Sequence, residues 1–353
     1  MLRAIIRRSD AVDYLVDDEA LELEGVRDAG AARWLRGVGN QHDARDVKRV
    51  LTTTDRATIC GYDLIVAAPR PISILVAVDD VAAPHVVRAH QHAVAAALAY
   101  LEGRAVVVRL RRGGNDSEQS AQWGRVVAFT HGVNRHAEPH LHDHVLVGSR
   151  PHGATTVLDS RALFAHLHTG DAVYRTVLRH QIAATTSWRP WRSFSGVEHV
   201  TGLDEGYRKI WPGHRDERGE KFSWTRDAIT EQWSRDLTNF EPSGVIDEPT
   251  RDRALLDEHA FGAAFEGRWD VGRRHVIAAW ADAAVFGTSL RDLDRSVDLL
   301  YPELLEGQGV RELLVSTSRA RMVGAVRTRG PRPLADHQLS QWLSSSRERS
   351  RSR

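Results

Sequence analysis

Cysteine is almost missing from this chain: Cys60 is the one cysteine in 353 residues. That excludes an intramolecular disulfide and fits a reducing cytoplasm, the expected location. No apolar run approaches the length of a membrane span, and the N-terminus carries no signal-peptide core, so membrane insertion is not expected. A Gly-x-x-x-x-Gly-Lys-Ser/Thr phosphate loop is also missing, which leaves no recognisable ATP motor and no expected helicase activity. There is no internal repeat. Net charge is small as well: 48 Lys and Arg face 47 Asp and Glu, for a formal +1. Bulk charge therefore announces no nucleic-acid partner, but its distribution says more. Arg104 to Arg112 holds four arginines without an acid, Leu313 to Leu334 holds five, and acids collect between Asp10 and Glu24 and between Asp247 and Asp298. Local basic stripes on a near-neutral chain suit phosphate contact, although such a run is also what a solvated face looks like.

What the chain does have is histidine in one place. Five histidines fall among the fourteen residues from His131 to His144. The flanks Gly124 to Phe129 and Val145 to Val147 are short, β-branched and aromatic and read as strands, joined through a polar loop with Pro139. Side chains two apart on a strand share a face, so His142 and His144 point the same way. A hairpin brings His131 beside them from the next strand, about 5 Å away. Three imidazoles converging from two strands make a metal site with open coordination positions, as catalysis requires. His140 lies in the same register, so spacing alone does not decide which three histidines converge.

Along the rest of the chain, Leu2 to Arg7 reads as a strand, and Ser9 or Asp10 caps a helix through Tyr14. Gly61 to Ala67 reads as a strand ending at Pro69 and Pro71, with another short strand from Ser73 to Val78. Pro84 opens a long helix, His85 to Leu101, and Arg104 to Leu110 reads as a strand before a polar loop. Thr155 to Leu158 suits an edge strand, and residues 160 to 185 a helix. From Thr225 onward the pattern is helical: Thr225 to Leu237, Arg253 to Phe265, His275 to Phe286 and Ser289 to Leu300. Trp188-Arg-Pro-Trp191-Arg-Ser-Phe194 interleaves aromatic and basic residues, as platforms for unpaired bases do, and equally as a packed turn does. The expected fold is α+β: an antiparallel or mixed central sheet with packed helices carrying a three-histidine metal site, plus a C-terminal helical region. The expected divisions are residues 1–235 for the chemistry, 236–343 for the helical region and 344–353 for a disordered basic tail.

With the hairpin, the long helix and Asp63 together, the chain resembles the MobF-type conjugative relaxases, the TrwC/TraI relaxase domain. That family pairs Phe-x-His-x-x-x-Arg with Asp-Pro-x-Leu-His-x-His, its metal histidines falling first, twelfth and fourteenth. Here His131, His142 and His144 fit, with Arg135 and Pro139 in register, and His140 takes a position the family fills with another polar residue. Gly61-Tyr-Asp63-Leu-Ile-Val-Ala-Ala-Pro69-Arg-Pro-Ile-Ser73 is similar to the family's Gly-x-Asp-Leu-Thr-Phe-Ser-Ala-Pro-Lys-Ser-Val-Ser, and Ala89 to Glu102 to its helix ending Tyr-Leu-Glu. The resemblance covers roughly residues 1 to 235. The departures are Tyr14-Leu15 where the family often has paired tyrosines, Arg70-Pro71 for Lys-Ser, Glu138 for Asp, and a shortened stretch from 40 to 60.

The resemblance implies an enzyme that nicks one DNA strand at a transfer origin of a plasmid or mobile element through a 5′-phosphotyrosine, and rejoins it by the reverse step. Tyr14 is then the nucleophile, and His131, His142 and His144 hold a divalent ion, Mg2+ or Mn2+ with Zn2+ as the alternative. Asp63 either accepts a ligand histidine's second N–H or takes a proton. Arg70 and Arg135 are candidate phosphate contacts, and Trp188 and Trp191 candidate base platforms. Implied partners are single-stranded origin DNA, a separate helicase, an accessory DNA-binding protein and a coupling protein. Two other readings stay open: a rolling-circle replication initiator, with Tyr174 on the helix after the hairpin as its nucleophile, and a relaxase-derived DNA-binding protein that no longer cleaves.

Overall fold

The period of two along each strand decides which residues of the sheet share a face. In the computed structural model, residues 1–8, 50–51, 59–112, 115–134, 136–193, 195–213, 226–247, 249, 262 and 271–306 are described. The first part of the chain contributes β1 (Leu2–Arg7), β2 (Gly61–Ala67), α1 (Arg70–Val78), α2 (Ala83–Ala105), β3 (Val107–Arg112), β4 (Asn115–Ser120), β5 (Val126–Val133) and β6 (Pro139–Gly148). Then come α3 (Ser160–Thr185), β7 (Arg189–Arg192), β8 (Glu198–Thr201), α4 (Tyr207–Ile210), α5 (Arg226–Thr238), α6 (Arg273–Ala283) and α7 (Leu290–Glu306). The central sheet has the order β1-β2-β6-β5 with every pair antiparallel.

One face of that sheet is apolar. Leu64 and Val66 of β2 and Leu141, Val145 and Val147 of β6 are buried there, each burial worth about 1.5–3 kcal/mol. α1 and α2 lie on this side: the Ser73 hydroxyl accepts a hydrogen bond from the Leu141 amide at 3.1 Å, and His90 of α2 pairs with Asp143 of β6 at 3.0 Å. The opposite face, set by the same period of two, carries Asp63, His142, His144 and His131. Gly61 opens β2 where the chain passes closest to its neighbours. A Cβ there would stand 2.3 Å from the Val147 carbonyl oxygen and 2.6 Å from a Leu51 methyl, so a larger residue would push β2 away from β6.

Several expectations need correction. Ser73 to Val78 is helical, within α1, not a strand. Pro69 caps that helix and Pro71 falls in its first turn, where a fixed φ and a missing N–H are harmless. Pro71 to Val76 is buried without alternation, the pattern in which helix and strand look alike. Thr155 to Leu158 makes only an isolated bridge, Val108 to Leu158. The polar stretch after Gly113-Gly114 is not a loop but β4, paired with β3, where Glu118 and Asp159 engage Arg109. β7 and β8 were not foreseen. The helices expected at Arg253 to Phe265 (Gly262 apart) and before Tyr14, and the C-terminal tail, lie outside the described residues. The long helices fall where the sequence puts them.

The chain divides into two compact units built from interleaved segments: Met1–His90, Leu101–Leu167 and Val200–Asp247 form one, and Gln91–Tyr100, His168–His199 and Glu248–Arg353 the other. The second has a charged interior. Arg179, 1% exposed, pairs with Glu198 at 2.6 Å and donates to the carbonyls of Ala281 and Ala284 at the end of α6. Among the described residues no helix is long and apolar enough to cross a membrane.

Candidate metal centre

The triad is assembled by strand register. His131 of β5 stands directly opposite His142 of β6, and His144 follows two residues on, on the same face. A register shift between His131 and Val133 ends the regular ladder just past the triad. Ring centroids lie 5.0 Å apart for His131 and His142, 5.1 Å for His131 and His144, and 5.4 Å for His142 and His144. One nitrogen from each ring falls within 4.8 Å of the others. His131 and His142 are buried and His144 nearly so, with 13% of its side chain exposed.

Two of the rings have their orientation set from outside. The Nδ1–H of His142 donates to the His140 carbonyl at 2.8 Å, and the Nδ1–H of His144 donates to the Asp63 carboxylate at 3.0 and 3.1 Å. Both bonds leave Nε2 as the lone-pair nitrogen, as a ligand requires. Burial and the neighbouring imidazoles of His140, His131 and His144 hold the His142 pKa well below its ordinary value, so the ring is neutral. Three imidazole nitrogens without a thiolate or a coordinating carboxylate suit a divalent cation that keeps positions open for other ligands.

Asp63 is wholly buried and sits in β2, opposite Ile5 of β1 and Leu146 of β6. Its carboxylate is shared by two donors, His144 and Arg7. Burial pushes its pKa upward, but the bonds and positive charges of those partners outweigh burial and hold it below the ordinary carboxylate value. Arg7 was not singled out from the sequence. The period of two carries the signal, since Arg7 lies on the same face of β1 as Ile5, the residue opposite Asp63.

A further histidine of the hairpin, His140, packs against His142 with ring centroids 4.6 Å apart and planes tilted by 35°, and is not part of the triad. Arg70, at the start of α1, donates to the carbonyls of Trp211 and Pro139 and pairs with Glu138 at 3.2 Å. Its nitrogens are thus engaged within the protein, anchoring the start of β6 to the segment after α4. Glu138 also accepts from the Asn134 side chain at 2.6 Å, and the turn between β5 and β6 passes through Ala137 at φ +59°. Trp191 lies in β7, its indole stacked on His199 with centroids 4.4 Å apart, and Trp188 is half-buried just before it. Both tryptophans belong to the second unit and the triad to the first. Tyr14 and Arg135 lie outside the described residues.

Fold and site together define an α+β protein with a histidine-triad centre set into one face of an antiparallel sheet. The family model of the TrwC relaxase matches residues 16–239, and the chain belongs to that family. Among solved structures, the metal-bound conjugative relaxase TrwC in complex with oriT DNA is similar at 19% identity and a TM-score of 0.51, over 68% of this chain and 99% of that one. The metal-free complex matches at 17% identity and a TM-score of 0.50 over 68% and 99% of the two chains. The copper-bound complex matches at 20% identity and 0.50 over 67% and 98%. At these identities the likeness concerns the fold. No curated protein matches the chain.

Proposed function

We propose that this protein is a conjugative relaxase that nicks one strand of DNA at a transfer origin and rejoins it. The observation that carries the reading is the triad of His131, His142 and His144, braced by Asp63, on the sheet of a TrwC-family fold. The similar TrwC structures contain oriT DNA, one of them with metal bound and one with copper. The chemistry is assigned to residues 1–235, and single-stranded origin DNA is the substrate. Partners expected of such a reaction are a helicase, an accessory DNA-binding protein and a coupling protein.

Tyr14 is the proposed nucleophile. Its phenolic oxygen attacks the scissile phosphorus, the bond from phosphorus to the 3′ oxygen breaks, and the strand is left with a 5′-phosphotyrosine and a free 3′-hydroxyl. Phosphodiester energy is conserved, so the reverse attack reseals the strand. A free tyrosine has a pKa of about 10 and needs activation at neutral pH. A divalent cation held by His131, His142 and His144, Mg2+ or Mn2+ in this reading, would supply charge stabilisation at the scissile phosphate worth several kcal/mol. Of the two roles open to Asp63, orienting His144 is favoured, because its carboxylate is already shared between His144 and Arg7.

The replication-initiator alternative needs Tyr174 to meet DNA. That side chain is 0% exposed within α3, and its hydroxyl reaches a strand only if the helix opens. The test is incubation of the chain with Mg2+ or Mn2+ and single-stranded DNA from the flanking locus, scored for a covalent protein–DNA adduct. Binding without an adduct in any divalent metal favours the non-cleaving alternative.

A further inference from the structure

The triad face of β6 does not by itself choose its ligands. His140, His142 and His144 lie two apart and leave the strand on one face. If β6 slipped by two residues against β2 and β5, His142 would stand where His144 stands, beside Asp63, and His140 would stand opposite His131. The backbone ladder is indifferent to such a slip, because a shift of two keeps every side chain on its own face. The ladder is also irregular between His131 and Val133, which loosens the hold of the β5–β6 turn on the register at His142.

Only the helix face distinguishes the two registers. There β6 presents Leu141, Asp143, Val145 and Val147, all buried, and Asp143 is the one carboxylate among them. It accepts a hydrogen bond from the Nε2–H of His90 in α2 at 3.0 Å, and His90 is wholly buried. The same slip would bring Leu141 to His90 and carry Asp143 to the place of Val145, between Leu64 and Ala128. An imidazole and a carboxylate would then be buried apart from each other, at the full cost of their desolvation. Packing alone does not account for the pair, since apolar side chains of similar volume would fill the same space at no loss of stability.

We propose that His90 and Asp143 are positioning residues that lock the register of β6, so that His142 and His144, and not His140 and His142, join His131 at the metal. The lock presupposes the metal-holding triad of the reading above. It acts through the strand alone: Asp143 lies between two ligands in sequence, but its side chain leaves β6 on the other face, toward α2.

The test is calorimetric Mn2+ titration of the whole chain in several backgrounds. In the wild type, His144→Ala lowers affinity steeply and His140→Ala changes it within a few-fold. His90→Leu/Asp143→Val removes the lock and should melt at or above the wild-type temperature. In that background both registers are open, and His144→Ala no longer abolishes binding. Leu141→Asp/Asp143→Leu moves the carboxylate two residues along β6 and keeps His90 paired only in the slipped register. There the roles exchange: His140→Ala abolishes binding and His144→Ala is mild. Asp143→Asn keeps an acceptor for His90 and retains the wild-type pattern. If the apolar double variant does not fold, the exchange variant decides. The wild-type pattern of histidine dependence in these variants overturns the proposal. An exchange variant that melts far below wild type and binds no Mn2+ overturns it too, because β6 then cannot adopt the slipped register. A wild-type chain that binds no Mn2+ overturns the metal reading and the lock with it.

Discussion

Replacing His142 or His144 by alanine removes one of three nitrogens that lie within 4.8 Å of one another. Each change should abolish strand cleavage and lower metal affinity, read by calorimetric titration with Mn2+. His140→Ala and His136→Ala should leave metal affinity within a few-fold of wild type; a His140→Ala loss as large as that of His142→Ala would shift the ligand register by two residues. Asp63→Asn keeps the shape but loses the charge that both His144 and Arg7 lean on, and should lower metal affinity about ten-fold or more. His140 also sets a pH dependence. Burial, then the positive charges of Arg70, the N-terminal amine and Arg3, push its pKa from 6.5 to about 4. Between those values the unfolded chain binds a proton that the folded chain refuses, so stability falls as pH drops from 6.5 toward 4. At 1.36 kcal/mol per unit the loss is about 3 kcal/mol. In metal-free protein the melting temperature should therefore fall more steeply over this window in wild type than in His140→Gln; equal slopes would contradict the assignment.

The elements differ in how plainly the sequence announced them. β2 was legible as a short β-branched run ended by Pro69, and α2 and α3 by helical spacing, alanine-rich in α2 and through Leu163, Tyr174 and Leu178 in α3. Period two put His142 and His144 on one face of a strand but left His140 in the same register, and the family motif singled out His131, His142 and His144. What stayed hidden depended on partners remote in sequence. α1 was taken for a strand because a buried β-branched run has no face to reveal its period. β4 is polar throughout, and its strand character comes from pairing with β3. Arg70 was read as a phosphate contact, yet it sits among Trp211, Pro139 and Glu138, residues 141, 69 and 68 positions away along the chain. That placement yields its own prediction. Arg70→Ala leaves Glu138 buried without its cation and should lower stability by about 3 kcal/mol, measured by urea unfolding, and Arg70→Lys should recover part of it. An Arg70→Ala chain of wild-type stability that has lost only DNA affinity would return Arg70 to the DNA.

At the scale of the whole molecule, the triad, Asp63 and the first strand share one compact unit, and the sequence from Arg7 onward leads within seven residues to Tyr14. The chain contains no phosphate-binding loop, so this protein should hydrolyse no ATP above background when DNA is added, a result that a colorimetric phosphate assay checks directly. The most direct test of the account is peptide mass spectrometry of the covalent adduct formed with single-stranded origin DNA and Mn2+. The account predicts a nucleotide on Tyr14, no adduct from Tyr14→Phe, and unchanged metal binding in that variant. A nucleotide on Tyr174 or Tyr207, or an adduct that survives Tyr14→Phe, would contradict it.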